Sequence, residues 1–431
     1  VSLLAWAAIA VFTVAYILIA TEKVHRVAAA LGGAALMLVI GATDGKHAFF
    51  DEHAGIDWNV IFLLLGMMLI VAVLKRTGGF EYVAIWAAKR AKARPFRVMV
   101  ILVLVTAVAS AALDNVTTVL LIAPVTLLVC DRLGVPAVPF LIAEAMASNI
   151  GGTATLVGDP PNIIIASRAG LSYNDFLVHL APIVVVLMVV FVGLCRWLFR
   201  KAFVYQPDRA AKVMQLSERD AIRDPRLLAV SMGVLVLVTA AFVLHTVLHL
   251  EPAVVAMVGG LLLLALSKLD AEAVAKDVEW PTLVFFAGLF IMVGALVNTG
   301  VIGQISQAAT EAVGGRLWAA SMILLWGSAF FSAIVDNIPY VATMSPIVGE
   351  LVSGFPGGEG RVLWWSLALG ADLGGNATAI GASANVVILG MAERAGKRIS
   401  FWQFTKYGLV VTVITIAICV PYLWLRYFAF A

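Results

Sequence analysis

The chain has 431 residues, 62% of them hydrophobic and 13% charged, with a mean hydropathy of +1.01. Composition of this kind excludes a soluble domain and points to a polytopic membrane protein. The formal net charge of +3 implies no nucleic-acid partner, and three scattered cysteines (Cys130, Cys195, Cys419) suggest neither a metal centre nor a disulfide.

Apolar runs of roughly 20 residues cross a bilayer as helices. The first predicted spans are 3–20, 25–42 and 58–74. Residues 1–20 read as a span, not a cleaved leader, because no small-residue cleavage site precedes Thr21-Glu22. Segment 80–94 carries Glu81, Trp86, Lys89, Arg90, Lys92 and Arg94, the pattern of an amphipathic helix at the membrane interface. Region 96–130 is broken at Asp114-Asn115, which suits a re-entrant hairpin with a polar tip. Region 136–167 is broken from Gly151-Gly152 to Asn162, which suits one span unwound at mid-depth. A span at 176–199 and the polar connector 200–226 follow. The second half supplies spans at 227–248, 252–267, 280–297 and 404–425. Between them lie a second hairpin region, 317–353, broken at Asp336-Asn337, and a second unwound region, 362–392, broken from Gly374-Gly375 to Asn385. Unwound backbone inside a membrane is tolerated only where protein buries it or it lines a wet cavity.

The two halves repeat. An offset of 222 residues carries Trp58 to Trp280, Gly66 to Gly288, Asp114-Asn115 to Asp336-Asn337, and Pro124 to Pro346. An offset of 223 carries Asn149-Ile150-Gly151-Gly152-Thr153-Ala154-Thr155 to Asp372-Leu373-Gly374-Gly375-Asn376-Ala377-Thr378, and Asn162 to Asn385. Residues 1–205 therefore form one repeat, 206–226 a cytoplasmic linker and 227–431 a second repeat. The expected fold is all-α, with about ten transmembrane helices, two re-entrant hairpins and two unwound helices. Five spans per repeat force the second to insert upside down. The positive-inside rule agrees: this topology puts 24 of the 29 Lys and Arg residues on one side and five (Lys46, Arg168, Arg316, Arg361, Arg426) on the other. The expected location is the plasma membrane, with both termini outside.

Paired breaks in the two halves of a membrane protein mark a transporter's binding site. An ionised Asp at mid-membrane costs about 2.5–3.5 kcal/mol, so Asp114 and Asp336 need a compensating role. They can cap the second hairpin arms and still bind a cation or a proton. Asp114, Asn115, Asp336 and Asn337 are the candidate Na⁺ ligands. Thr117, Thr118, Asn149, Thr153, Thr155, Asn162, Asp372, Asn376, Thr378, Ser383 and Asn385 offer further oxygens and amides. Gly151, Gly152, Gly374 and Gly375 allow the backbone to approach closely. Asp159, beside Pro160-Pro161, is expected to cap a helix. No Lys or Arg lies in any of the four breaks, so a cationic clamp is not expected. His179, His245 and His249 lie near span ends and read as interfacial.

The segments LDNVTTVLLIAPVTLL, NIGGTATLVGDPPNIIIA, DNIPYVATMSPI and LGGNATAIGASANVVILG resemble those of the arsenite-permease/sodium–proton antiporter (ArsB/NhaD) family of the ion transporter superfamily, nearest to the branch of the melanosomal P protein and its bacterial relatives. That resemblance covers about residues 57–408. It implies a homodimer in lipid, elevator-like motion, and separate scaffold and transport domains. The superfamily's carboxylate carriers have a Ser-Asn-Thr hairpin tip, whereas Asp-Asn-Val and Asp-Asn-Ile stand here. The expected function is secondary transport of a small inorganic ion or solute, by arsenite/antimonite efflux or Na⁺/H⁺ antiport, with H⁺ or Na⁺ as coupling ion and no other cofactor. A soluble ATPase partner enters only with arsenite export. A chloride channel and a Na⁺-coupled dicarboxylate carrier are the alternatives. No nucleophile–base pair suggests an enzyme.

Overall fold

The computed structural model describes residues 2–21, 23–51, 54–215 and 217–429. Val1 and Glu22, on which the leader reading partly rests, lie outside the described residues. Among the described residues every regular element is helical, and nine helices are long and apolar enough to cross a membrane. The two halves run through the same series. Leu3–Thr21 matches Pro225–Leu248, Arg26–Val39 matches Pro252–Ser267, and Trp58–Lys75 matches Trp280–Asn298. The interfacial helix Gly79–Arg90 matches Val301–Val313. The expected span 25–42 is shorter than drawn, because its helix covers only Arg26–Val39. The expected span 176–199 is divided into Tyr173–His179 and Ala181–Leu198.

The first hairpin comprises Pro95–Ala112 and Asn115–Leu133, and the second Leu317–Ile334 and Asn337–Ser353. Each tip turns at its Asp. The Asp114 carboxylate accepts from the Thr117 N–H at 2.8 Å, and that of Asp336 from the Ile338 N–H at 3.0 Å. Both caps satisfy donors that the first helical turn leaves open. The first broken helix is Ala137–Gly152 and Pro160–Ala169, and the second Val362–Gly374 and Ser383–Arg394. Pro160 starts the resumed helix where its missing N–H costs nothing.

The halves exchange partners. Arg26–Val39 packs on Trp280–Asn298 of the second half, while Pro252–Ser267 packs on Trp58–Lys75 of the first. Glycine makes both crossings tight. A Cβ on Gly66 would lie 2.4 Å from the Ala256 carbonyl carbon, and one on Gly288 would lie 2.9 Å from that of Ala30. Deeper in, the second arm Asn337–Ser353 packs on Pro160–Ala169, and Ser383–Arg394 packs on Asn115–Leu133. Each resumed helix thus lies against the other half's hairpin.

The linker is not the free solvated connector the sequence suggests. Gln206 and Arg209 donate to the Gly134 and Asp131 carbonyls. Lys89 pairs with Glu218 at 2.5 Å, and Arg223 with Glu81 at 3.1 Å. These contacts fasten it to the interfacial helix and the base of the first hairpin.

Candidate functional site

Both hairpin tips and both breaks meet at one buried polar centre. Asp159, fully buried, accepts from Asn115 Nδ2 at 2.8 Å and from Asn337 Nδ2 at 3.3 Å. One donor comes from each hairpin tip, so this carboxylate joins the halves. Although Asp159 stands at the N-cap of Pro160–Ala169, it makes no side-chain cap bond. The expectation of a simple cap is therefore corrected. Pro161 at the second helical position has no N–H to cap, the Asn162 N–H bonds the Asp159 main-chain carbonyl at 3.0 Å, and the carboxylate turns inward to the two asparagines.

Asn149 forms the second bridge. Its Nδ2 donates to Asn376 Oδ1 at 3.0 Å and to Asn385 Oδ1 at 3.1 Å, while its Oδ1 accepts from Asn115 at 3.2 Å. Asp372, which matches Asn149 in the other half, is fully buried and near enough for its charge to act on Asp159. Among the described residues no well-formed hydrogen bond reaches either Asp372 oxygen, although Thr153 and Asn162 lie beside it, and Asn115 Oδ1 and Asn162 Oδ1 are likewise open. Buried acceptors left open are rare, because an unmet polar group is costly in a dry interior.

Several candidate ligands instead hold the breaks in shape, in repeat-related pairs. The hydroxyls of Thr155 and Thr378 donate at 2.6 Å to the Ala111 and Ala333 carbonyls at the ends of the first hairpin arms. Asn162 Nδ2 donates to the Thr155 carbonyl at 3.0 Å, and Asn385 Nδ2 to the Thr378 carbonyl at 2.9 Å. Thr153 donates back to Asn149 within its own helix. A Cβ on Gly151 would lie 2.4 Å from Ala107 Cα, and one on Gly374 would lie 2.6 Å from Ala329 Cα. Gly152 and Gly375 similarly crowd the backbone of Gly158 and Gly381. Thr117 supplies the capped N–H at the first tip, and the hydroxyl of Thr118 has no partner among the described residues.

Beside the second tip, Ser383 Oγ donates to Asp336 Oδ2 at 2.5 Å and accepts from Arg26 Nη1 at 2.9 Å. Arg26 also donates to Thr282 Oγ1 at 3.4 Å. This corrects the expectation that no cation attends the site. Arg26 lies 357 residues from Ser383 in the chain, so no local pattern announces it. A cavity of about 470 Å³ opens here, lined by His25, Arg26, Val116, Glu279, Thr282 and Asp336 among others. A second cavity, of about 560 Å³, occupies the repeat-related place. It is lined by Val60, Ile163, Glu251 and Pro252, which match Thr282, Val386, His25 and Arg26. The two halves thus present similar vestibules of different chemistry. Of the histidines, His245 bonds the Tyr173 N–H and His179 stacks on Trp365. Both are away from the polar centre.

The citrate transporter model (CitMHS) matches residues 16–370. The chain belongs to the citrate transporter family. This CitMHS protein is 58% identical over 424 residues to an uncharacterized transporter of Mycobacterium tuberculosis, covering 98% of the chain and 99% of that protein. It is 57% identical over 421 residues to a 46 kDa membrane protein of Mycobacterium leprae, covering 97% and 98%. With the P protein of Homo sapiens it shares 32% identity over 96% of its own length and 59% of that protein's. Its fold matches the Alcanivorax borkumensis YdaH transporter with a TM-score of 0.60 at 13% identity, over 98% and 97% of the two chains. The CitMHS protein is thus a multi-pass membrane transporter, not an enzyme by family. The coarser superfamily resemblance holds, and the narrower arsenite-permease/antiporter assignment is not what the family match gives.

Proposed function

We propose that this CitMHS protein is a secondary active transporter coupled to H⁺ or Na⁺, with the coupling ion held between Asp159 and Asp372. The observation that carries the reading is Asp159, whose buried carboxylate joins both hairpin tips, with the buried carboxylate of Asp372 close enough to act on it. Two ionised carboxylates repel strongly in a water-poor site. One proton between them, or one Na⁺ also touching Asn115 Oδ1 and Asn162 Oδ1, removes that cost. Oxygen-only ligation suits a hard cation. Loading the ion relaxes the bonds to Asn115 and Asn337. In this way one charge adjusts both hairpins.

The solute path is the cavity beside Asp336, facing the cytoplasm in this state by the distribution of basic loops. The scaffold helices Arg26–Val39, Trp58–Lys75, Pro252–Ser267 and Trp280–Asn298 stay fixed and dimerise in the lipid. The hairpins and broken helices move as an elevator. A small inorganic solute such as arsenite finds hydroxyls and amides there. Arg26 and the family's description favour a second reading, a carboxylate or other anion paired with the guanidinium.

Proteoliposomes containing the full chain, with imposed H⁺ or Na⁺ gradients, separate the readings. Citrate, arsenite, chloride and ²²Na⁺ are the probes. Gradient-driven uptake of one of them that disappears in Asp159→Asn is expected. Uptake that ignores both gradients would leave a passive channel.

A further inference from the structure

A third cavity, of about 750 Å³, shares no residue with the polar centre or with the Arg26 vestibule. Its walls come from the starts of Leu317–Ile334 and Val362–Gly374, the short helix Tyr173–His179 and the end of Phe401–Tyr427. Aromatic rings line one side. His179 stacks on Trp365 with ring centroids 4.7 Å apart and on Tyr427 at 5.8 Å, and Phe428 meets Trp318 edge-on at 5.0 Å. The Tyr422 hydroxyl donates to the His179 carbonyl at 2.5 Å, which fastens the two helix ends together. Arg316 and Arg361 line the cavity, and Arg426 stands beside it with its guanidinium 5.9 Å from the Tyr427 ring centroid. These are three of the five Lys and Arg residues on the side of the membrane that is poor in them. Among the described residues none of the three takes part in an ion pair. Two carboxylates line the cavity, Glu359 and Asp175, and Asp175 is already held by the Ser172 N–H and hydroxyl, both at 2.7 Å. One positive charge is left uncovered. From Ala319 at the cavity, Ile323, Trp326 and Phe330 follow at spacings of four, three and four residues, so they share one face of a membrane-spanning helix. All three are exposed, and they form an apolar track about 16 Å long.

From this arrangement we infer that the cavity binds an anionic phospholipid, with the phosphate between Arg316 and Arg361 and one acyl chain along Ile323, Trp326 and Phe330. The planar fork of a guanidinium matches phosphate oxygens two at a time. The uncovered positive charge matches the single negative charge of a phosphodiester whose headgroup is otherwise neutral, as in phosphatidylglycerol. A zwitterionic lipid would bring a further cation to a place that already holds three. Inorganic phosphate offers the same anion without a tail, and the track that continues from the cavity gives a tail its place. Aromatic rings suit the level of the headgroups, where an amphipathic side chain has one apolar and one wet end. Arg316 opens the second hairpin and Arg361 the second broken helix, so one bound phosphate joins these two elements.

The test needs no transported solute. The full chain, in detergent doped with lipid, is irradiated with phosphatidylglycerol or phosphatidylcholine carrying a photoreactive group in one acyl chain, and the labelled peptides are mapped by mass spectrometry. The stretch 317–334 should take the phosphatidylglycerol probe at least about ten-fold more than the phosphatidylcholine probe. Unlabelled phosphatidylglycerol should compete for it, and inorganic phosphate should not. In the double variant Arg316→Gln, Arg361→Gln the preference should vanish, while phosphatidylglycerol labelling of the basic side of the protein keeps its wild-type level and shows that the variant is folded. Where the pair does not fold, Arg361→Gln alone is read in the same way. Equal labelling of the wild type by both probes overturns the inference without any variant, and so does labelling by neither, the result if a second copy of the chain covers this face. Full competition by inorganic phosphate makes the cavity a free-anion site and overturns the lipid assignment. A preference that survives in a folded arginine variant overturns it as well.

Discussion

At the scale of single residues, the acids divide by what they touch. Among the described residues Asp114 bonds within its own hairpin tip, at Thr117, whereas Asp336 holds both its helix start and the Ser383–Arg26 pair. Asparagine caps helices about as well as aspartate. Asp114→Asn should therefore leave fold and expression intact and lower gradient-driven flux less than Asp336→Asn does. Equal flux in both variants and the wild type would leave these two acids as caps alone. Arg26→Gln should leave cation-gradient binding in place but weaken an anionic solute by about ten-fold or more, the usual scale of a lost charged hydrogen bond. An unchanged KM for citrate would remove the anion reading. The sequence makes the hairpin acids and the asparagines legible, because a polar pair repeated at one offset inside apolar runs has no packing explanation. It conceals Asp159's role, because Asp159 stands at a true helix start, where a cap is the ordinary reading, and position 382 holds alanine.

At the scale of elements, hairpins, breaks and spans follow from run length and from the places where Gly, Asp and Asn interrupt it. What sequence does not supply is which half's helix lies against which. The exchanged crossings depend on shape at Gly66 and Gly288, and only the packed structure displays that. Gly66→Ala should destabilise the protein by about 1–3 kcal/mol, since the methyl overlaps the Ala256 backbone, which cannot yield as a side chain tip would. Gly32→Ala, with nothing within 4 Å of its Cβ, is the control. Size-exclusion after graded heating in detergent reads the difference, and equal melting of the two variants would contradict the crossing.

For the whole molecule, a single label decides orientation. The three cysteines are buried, so background labelling is low. A cysteine at Gln206 should resist an impermeant thiol reagent in intact cells and react after lysis, and one at the Gly314 turn should react from outside. The reverse pattern would invert the topology and place the Arg26 vestibule on the outer face.

Because Arg26–Val39 and Trp58–Lys75 each rest on a helix of the opposite half, the chain cannot be finished piecemeal during its own synthesis. The first five membrane segments leave the ribosome with tight glycine faces exposed and must wait, through the linker and the span Pro225–Leu248, for the segments that cover them. Insertion machinery must then shelter an open half-protein. A chain stopped at residue 205 should be degraded. The fragments 1–205 and 206–431, expressed together, should protect one another and accumulate as a pair.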